Sequence, residues 1–189
     1  REVLDWLAQK ALPFAVPQVL AYENAEGWTL LRMSALGHKL RMHDKAQDLP
    51  CAIYESIAAL RPPGAATHLP ASGFKGLERA RIQTTTQSLR AVADSIRPDD
   101  PIAVCAAHRD IGSENVFQRP CPAPQHESFA IIDWEYFTLC APALTDRVGF
   151  WLGRRHRIFK GHARVDLDAL AHSFLADFAD APGGGKAAV

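Results

Sequence analysis

The residues best suited to chemistry lie between Ala107 and Asp133. The run His108-Arg109-Asp110-Ile111-Gly112-Ser113-Glu114-Asn115 places carboxylates and an amide close together, and Asp133 follows 18 residues after Asn115 in Ile131-Ile132-Asp133-Trp134-Glu135. Moving a phosphoryl group asks little covalent work of a protein; it needs divalent metal on the phosphates and a group that orients the incoming hydroxyl. A loop ending in Asn115 at a strand start aims Asp110 outward toward a substrate and Asn115 toward a metal. Magnesium prefers oxygen ligands and retains waters, so a carboxylate oxygen of Asp133, the amide oxygen of Asn115 and phosphate oxygens suffice as its shell. No other cluster in the chain offers that set.

Several elements must hold those side chains. Val3, Leu7 and Ala11 fall on one stripe with Leu4, Ala8 and Leu12, which predicts an amphipathic helix over 1–12 ended by Pro13. Val16 to Tyr22 and Trp28 to Met33 read as strands joined by the turn residues Asn24-Ala25-Glu26-Gly27. Ser34 to Lys39 reads as a linker. Leu49, Ile53, Ile57 and Leu60 recur at helical spacing, and a second long helix spans Gly76 to Ile96 before the breaker Pro98-Asp99-Asp100-Pro101. Ile102–Ala106, Val116-Phe117 and Phe129–Ile132 are short apolar runs that read as buried strands around the site, and the helical period returns over Ala143–Arg157 and Asp166–Phe178. The tail Gly183-Gly184-Gly185-Lys186 reads as flexible.

Composition narrows the class. The 189 residues are 48% hydrophobic and 22% charged, enough apolar material for a compact fold, and 21 basic residues balance 21 acidic ones. A zero net charge gives no global field toward nucleic acid or an anionic membrane, so neither is expected as a partner. Cys51, Cys105, Cys121 and Cys140 form no C-x-x-C pair, which speaks against a zinc or redox motif and for reduced thiols. No apolar run reaches the roughly 18 residues of a membrane span, and the N-terminus lacks signal-peptide order, so a cytoplasmic location is expected.

The pattern H-x-D-x-x-x-x-N, then an apolar strand ending in Ile-Asp, resembles the kinase-like phosphotransferases that include aminoglycoside phosphotransferases and choline kinases. The likeness extends to Glu2-x-x-x-Trp6-Leu7 before Val16-Pro17-Gln18-Val19-Leu20, and to Gly27-Trp28-Thr29-Leu30-Leu31-Arg32-Met33-Ser34, which are similar to that family's regulatory helix, following strand and hinge strand. Asp146 in Thr145-Asp146-Arg147-Val148-Gly149-Phe150 resembles the later aspartate that braces the catalytic loop.

The resemblance implies an α+β, protein-kinase-like fold: a partial N-lobe over residues 1–34 and a helical C-terminal lobe over 35–189. It implies Asp110 as the base that receives the substrate hydroxyl, and Asn115 and Asp133 as Mg2+ ligands. Met33, Ser34 and Ala35 become the hinge that bonds the base of ATP or GTP. Glu2 becomes the helix acid that pairs with a phosphate-binding lysine, while His108 and Asp146 give structural support. The glycine-rich turn and lysine strand of that fold have no counterpart among these residues, so an N-terminally truncated upper lobe is expected. Arg109 stands where the family usually has glycine. Asp133 and Asp146 are only 13 positions apart, too close for a protein kinase's activation segment, and a small-molecule hydroxyl is the expected acceptor. Aminoglycosides, choline, sugars and macrolides all remain candidates. The alternatives are a non-catalytic kinase-like binding module and, more weakly, a metal-dependent hydrolase.

Plainer readings stand beside these. The basic run Arg154-Arg155-His156-Arg157 reads as a solvated helix end, His126 and Glu127 as a surface loop, and Trp28 and Trp134 as packing residues. Asp166, Asp168, Asp177 and Asp180 are scattered candidates for contact with a cationic acceptor.

Overall fold

The computed structural model describes residues 1–36, 38–39, 49–75, 87–112, 114–118, 129–159 and 173. Helix α1 (Glu2–Leu7) buries Leu4 and Leu7 and carries Glu2 and Asp5 in its first turn, where the helix dipole favours acids. It is shorter than the periodicity predicts. The Gln9 and Lys10 N–H groups reach back only three residues, to the carbonyls of Trp6 (3.2 Å) and Leu7 (2.9 Å), so the last turn tightens and closes. The chain then turns to bury Phe14 in the same core.

Strands β1 (Val19–Ala25) and β2 (Trp28–Met33) form an antiparallel hairpin in which Ala25 faces Trp28. Its two-residue loop ends at Gly27, whose φ of 82° is the conformation that only glycine enters without a Cβ clash. Strand β3 (His38–Lys39), inside the segment read as a linker, pairs with β6 (Val116–Gln118), and β6 pairs with β7 (Phe129–Ile131), all antiparallel. Ala15 extends this sheet by bonds to Phe129 and Ile131.

Helix α2 (Cys51–Ala58) has Pro50 at its N-cap, and Leu49, Ile53, Ile57 and Leu60 are buried as their spacing requires. Strand β5 (Pro101–Ala107) pairs antiparallel with β8 (Thr138–Pro142), a strand with no sequence signal strong enough to register. Helix α4 (Thr145–Phe159) follows. Along the chain between α2 and β5 come β4 (His68–Pro70), a 3-10 turn at Ala71–Gly73 and helix α3 (Gln87–Ser95), which falls within the stretch Gly76 to Ile96 predicted as helix; residues 76–86 lie outside the described residues.

The chain divides into two compact units, Arg1–His68 with Ala103–Ile158, and Leu69–Ile102 with Phe159–Val189. The first holds the core: Leu4, Leu7, Phe14, Leu49, Ile53, Ile57, Leu60, Ala106, Ile111, Val116, Ile131, Trp134 and Phe150. In the second, Asp100 knits the turn before β5, accepting the Ala71 N–H on its carbonyl (3.0 Å) and the Arg97 N–H on its carboxylate (2.7 Å).

The arrangement is thus a mixed α and β one with small sheets, compatible with the α+β class. No helix among the described residues is long and apolar enough to cross a membrane. The helix expected over Asp166–Phe178, except for Ser173, lies outside the described residues, as do the glycine tail, Cys121, His126, Glu127, Asp166, Asp168, Asp177 and Asp180 and the side chains of Arg154, Arg155, His156 and Arg157.

Candidate active site

Strand β5 ends where His108 begins the loop, and His108 is fully buried. One of its ring nitrogens, Nε2, lies 2.8 Å from the Ile132 carbonyl, and the other, Nδ1, lies 3.2 Å from the Asp110 N–H. A carbonyl can only accept and an amide N–H can only donate, so Nε2 carries the proton and Nδ1 does not. The imidazole is neutral by this logic. Burial pushes its pKa down, against the opposing pull of the Ile132 carbonyl and of Asp146, Asp110 and Asp133. His108 thereby ties the loop before Asp110 to the segment before Asp133.

Asp146 sits in the first turn of α4 and is 7% exposed. Its two carboxylate oxygens accept the backbone N–H groups of His108 and Arg109, each at 2.7 Å. Burial raises its pKa, while the two N–H donors and the nearby His108 act the other way. This carboxylate shapes the loop: Arg109 is held at a φ of 71°, in the left-handed region that glycine tolerates and a branched side chain does not. A glycine at this position would meet no such cost.

Beyond it, Asp110 projects as an exposed side chain, and the loop closes through the Gly112 N–H to the Asp110 carbonyl and the Asn115 N–H to the Gly112 carbonyl, each 3.0 Å. Asn115 is buried and turns its amide back on the loop: Nδ2 donates to the Asp110 carbonyl at 2.8 Å and to Asp110 Oδ2 at 3.0 Å. Both amide protons are thereby used, which leaves Oδ1, a hard neutral oxygen, as the atom that can face a cation. The Asn115 carbonyl accepts the Ile132 N–H at 3.0 Å, so the β6 start and the residue before Asp133 are bound together.

Asp133 is exposed and adopts φ 65°, ψ 56°, a left-handed conformation that aspartate enters more readily than most residues. It leads into a 3-10 turn, Trp134–Tyr136. Trp134 fills the space behind the loop: its ring edge meets the His108 imidazole at 4.5 Å, it stacks on Phe14 at 6.0 Å, and its indole N–H donates to the Ile131 carbonyl at 2.9 Å. Trp134 is therefore core, whereas Trp28 is 54% exposed on the hairpin. Among the described residues no group of three or more His, Cys, Asp or Glu gathers as a metal site. The donors here are instead one carboxylate and one amide, a set that fits magnesium only when phosphate oxygens complete the shell.

Glu2 is exposed on α1 and makes no ion pair among the described residues. In the segment Met33 to Ala35, the Ser34 N–H donates to the Gln18 carbonyl (2.9 Å) and its hydroxyl accepts the Gln18 N–H (3.0 Å), so Ser34 is engaged in bracing β1. Met33 and Ala35 are exposed beside it. One residue absent from the sequence reading is Tyr136, whose exposed phenol is pushed up in pKa first by the charge of Glu135, then by a hydrogen bond to Glu135, with Asp110 and Asp133 adding to it. It lies in a single 3-10 turn, which is too short to leave a repeat in the sequence that would point to it.

No protein-family model and no curated protein matches this chain.

Proposed function

We propose that this chain belongs to a protein-kinase-like fold and transfers the γ-phosphoryl of ATP or GTP to a hydroxyl of a small molecule, an aminoglycoside-like compound or another metabolite. The observation that carries this reading is the pair of hydrogen bonds that Asn115 Nδ2 donates to Asp110, which joins the proposed base and the proposed metal-facing amide in one network with Ile132 beside Asp133.

Each side chain has a task in that reaction. Asp110 accepts the hydrogen of the acceptor hydroxyl and orients its oxygen toward the phosphorus. Asn115 Oδ1 and the Asp133 carboxylate would hold Mg2+, which when bound screens the phosphate charge and aligns the donor. His108 and Asp146 act through the backbone: the first joins the Asp110 loop to the Asp133 segment, and the second sets the loop's left-handed turn. Glu2, and the backbone at Met33 and Ala35, are proposed for the nucleotide side, Glu2 as partner of a phosphate-binding lysine and the other two for the base.

The test is nucleotide consumption with magnesium over a panel of aminoglycosides, choline, sugars and macrolides, in the wild type and in Asp110→Ala. The expected result is phosphorylated acceptor from the wild type and a loss of about 100-fold or more in kcat in the variant, with nucleotide affinity retained. Tight nucleotide binding with no transfer to any acceptor would favour a binding module instead.

A further inference from the structure

Arg109 is exposed and is the one cation in residues 107–118, next to the proposed base. Its φ of 71° is imposed by the Asp146 carboxylate, which takes its N–H and that of His108 at 2.7 Å. That conformation is costly for a non-glycine residue, and among the described residues no carboxylate or ring pairs with the guanidinium to offset it. Leu144, also left-handed at φ 67°, differs in that it is half-buried and apolar, whereas Arg109 is exposed and charged. An exposed guanidinium on a left-handed residue, one position before the proposed base, is suited to planar, two-pronged recognition of phosphate oxygens.

Resting on the phosphotransferase reading, we propose that Arg109 is an anion-contacting residue of the active site, its guanidinium taking the oxygens of a phosphate-class group. That group is either the phosphoryl in transfer or an anionic substituent of the acceptor. In both cases Arg109 offsets the repulsion that Asp110 and Asp133 exert on a phosphate.

Arg109→Gly tests this cleanly, because glycine suits the backbone angle and the variant is expected to melt at or above the wild-type temperature. Inorganic phosphate titrated into the wild type should move the Arg109 side-chain N–H resonance, and phosphate affinity should fall about tenfold in Arg109→Gly while Arg109→Lys keeps part of it. In turnover assays, a lower kcat with every acceptor assigns the contact to the transferring phosphoryl, and a raised KM confined to anionic acceptors assigns it to the acceptor. Equal phosphate affinity in the wild type and Arg109→Gly overturns the proposal, as do unchanged kcat and KM. Phosphate binding is read without turnover, so a wild type that binds through Arg109 yet transfers nothing counts against the phosphotransferase reading alone.

Discussion

The side-chain amide of Asn115 spends both of its protons on Asp110, one on the backbone carbonyl at 2.8 Å and one on the carboxylate at 3.0 Å. The exposed acid therefore does not choose its own direction; a buried neighbour five positions later chooses it.

Asn115→Asp keeps the shape and replaces the donor with a second carboxylate facing Asp110. Like charges at hydrogen-bond distance force one group to hold a proton. The variant should lose about 2 kcal/mol in urea unfolding at neutral pH and regain part of it on acidification. Turnover should fall about 100-fold. An unchanged unfolding midpoint would show that the amide bonds carry no weight.

Asp146→Asn leaves one oxygen for the two N–H groups of His108 and Arg109 and turns an amide donor on the other. Donor against donor in a buried place should cost about 2–3 kcal/mol. Thermal unfolding reads the loss. Asp146→Glu should not restore the wild type, since both 2.7 Å bonds depend on the length of the aspartate side chain.

Acid should weaken the fold through His108. Its pKa is lowered from an ordinary 6.5 by burial, so its contribution is complete above that pH. Between there and the folded value the unfolded chain binds the extra proton, and stability falls as pH falls, at no more than about 1.4 kcal/mol per pH unit. Asp146 has the opposite sign: raised above 3.8, it returns stability on acidification through its folded pKa. His108→Gln should remove the first slope. Urea midpoints taken across pH 5 to 8 as a working range of about three units distinguish the two.

Trp134→Phe keeps an aromatic against His108 and Phe14 but strands the Ile131 carbonyl that now receives the indole N–H. A stability loss of about 1–2 kcal/mol is expected, with turnover changed by no more than a few fold. A larger drop in turnover would make Trp134 a positioning residue for the loop.

The parts legible from sequence were those with a local signature. Periodic Ile53 and Ile57 mark α2, and the strand-forming residues of Trp28–Met33 just after the turn residues Asn24 to Gly27 mark β2. Elements with few residues of their own were not legible: His38–Lys39 is a strand only because Phe117 and Gln118 lie opposite, and Thr138–Pro142 only because β5 does. Helix α1 stops early for a tertiary reason, the burial of Phe14. At the site, the residue types and spacing were readable, whereas the left-handed turn at Arg109 was not, since its cause is a carboxylate 37 positions away. Tyr136 escaped because a single 3-10 turn has no periodicity to detect.

The Asp146 clamp also sets when the site can exist. The His108 and Arg109 N–H groups find their acceptor 38 and 37 residues further along the chain, on a helix made after β5, β6, β7 and β8. During synthesis the loop carrying Asp110 has nothing to hold its turn until that helix has emerged and docked, so the site is assembled late, by a long loop closure. The same linkage runs backward: amide protons at His108 and Arg109 should exchange with solvent together with those that open when the start of α4 frays, and the exchange rate of that one turn reports how often the loop carrying Asp110 comes undone.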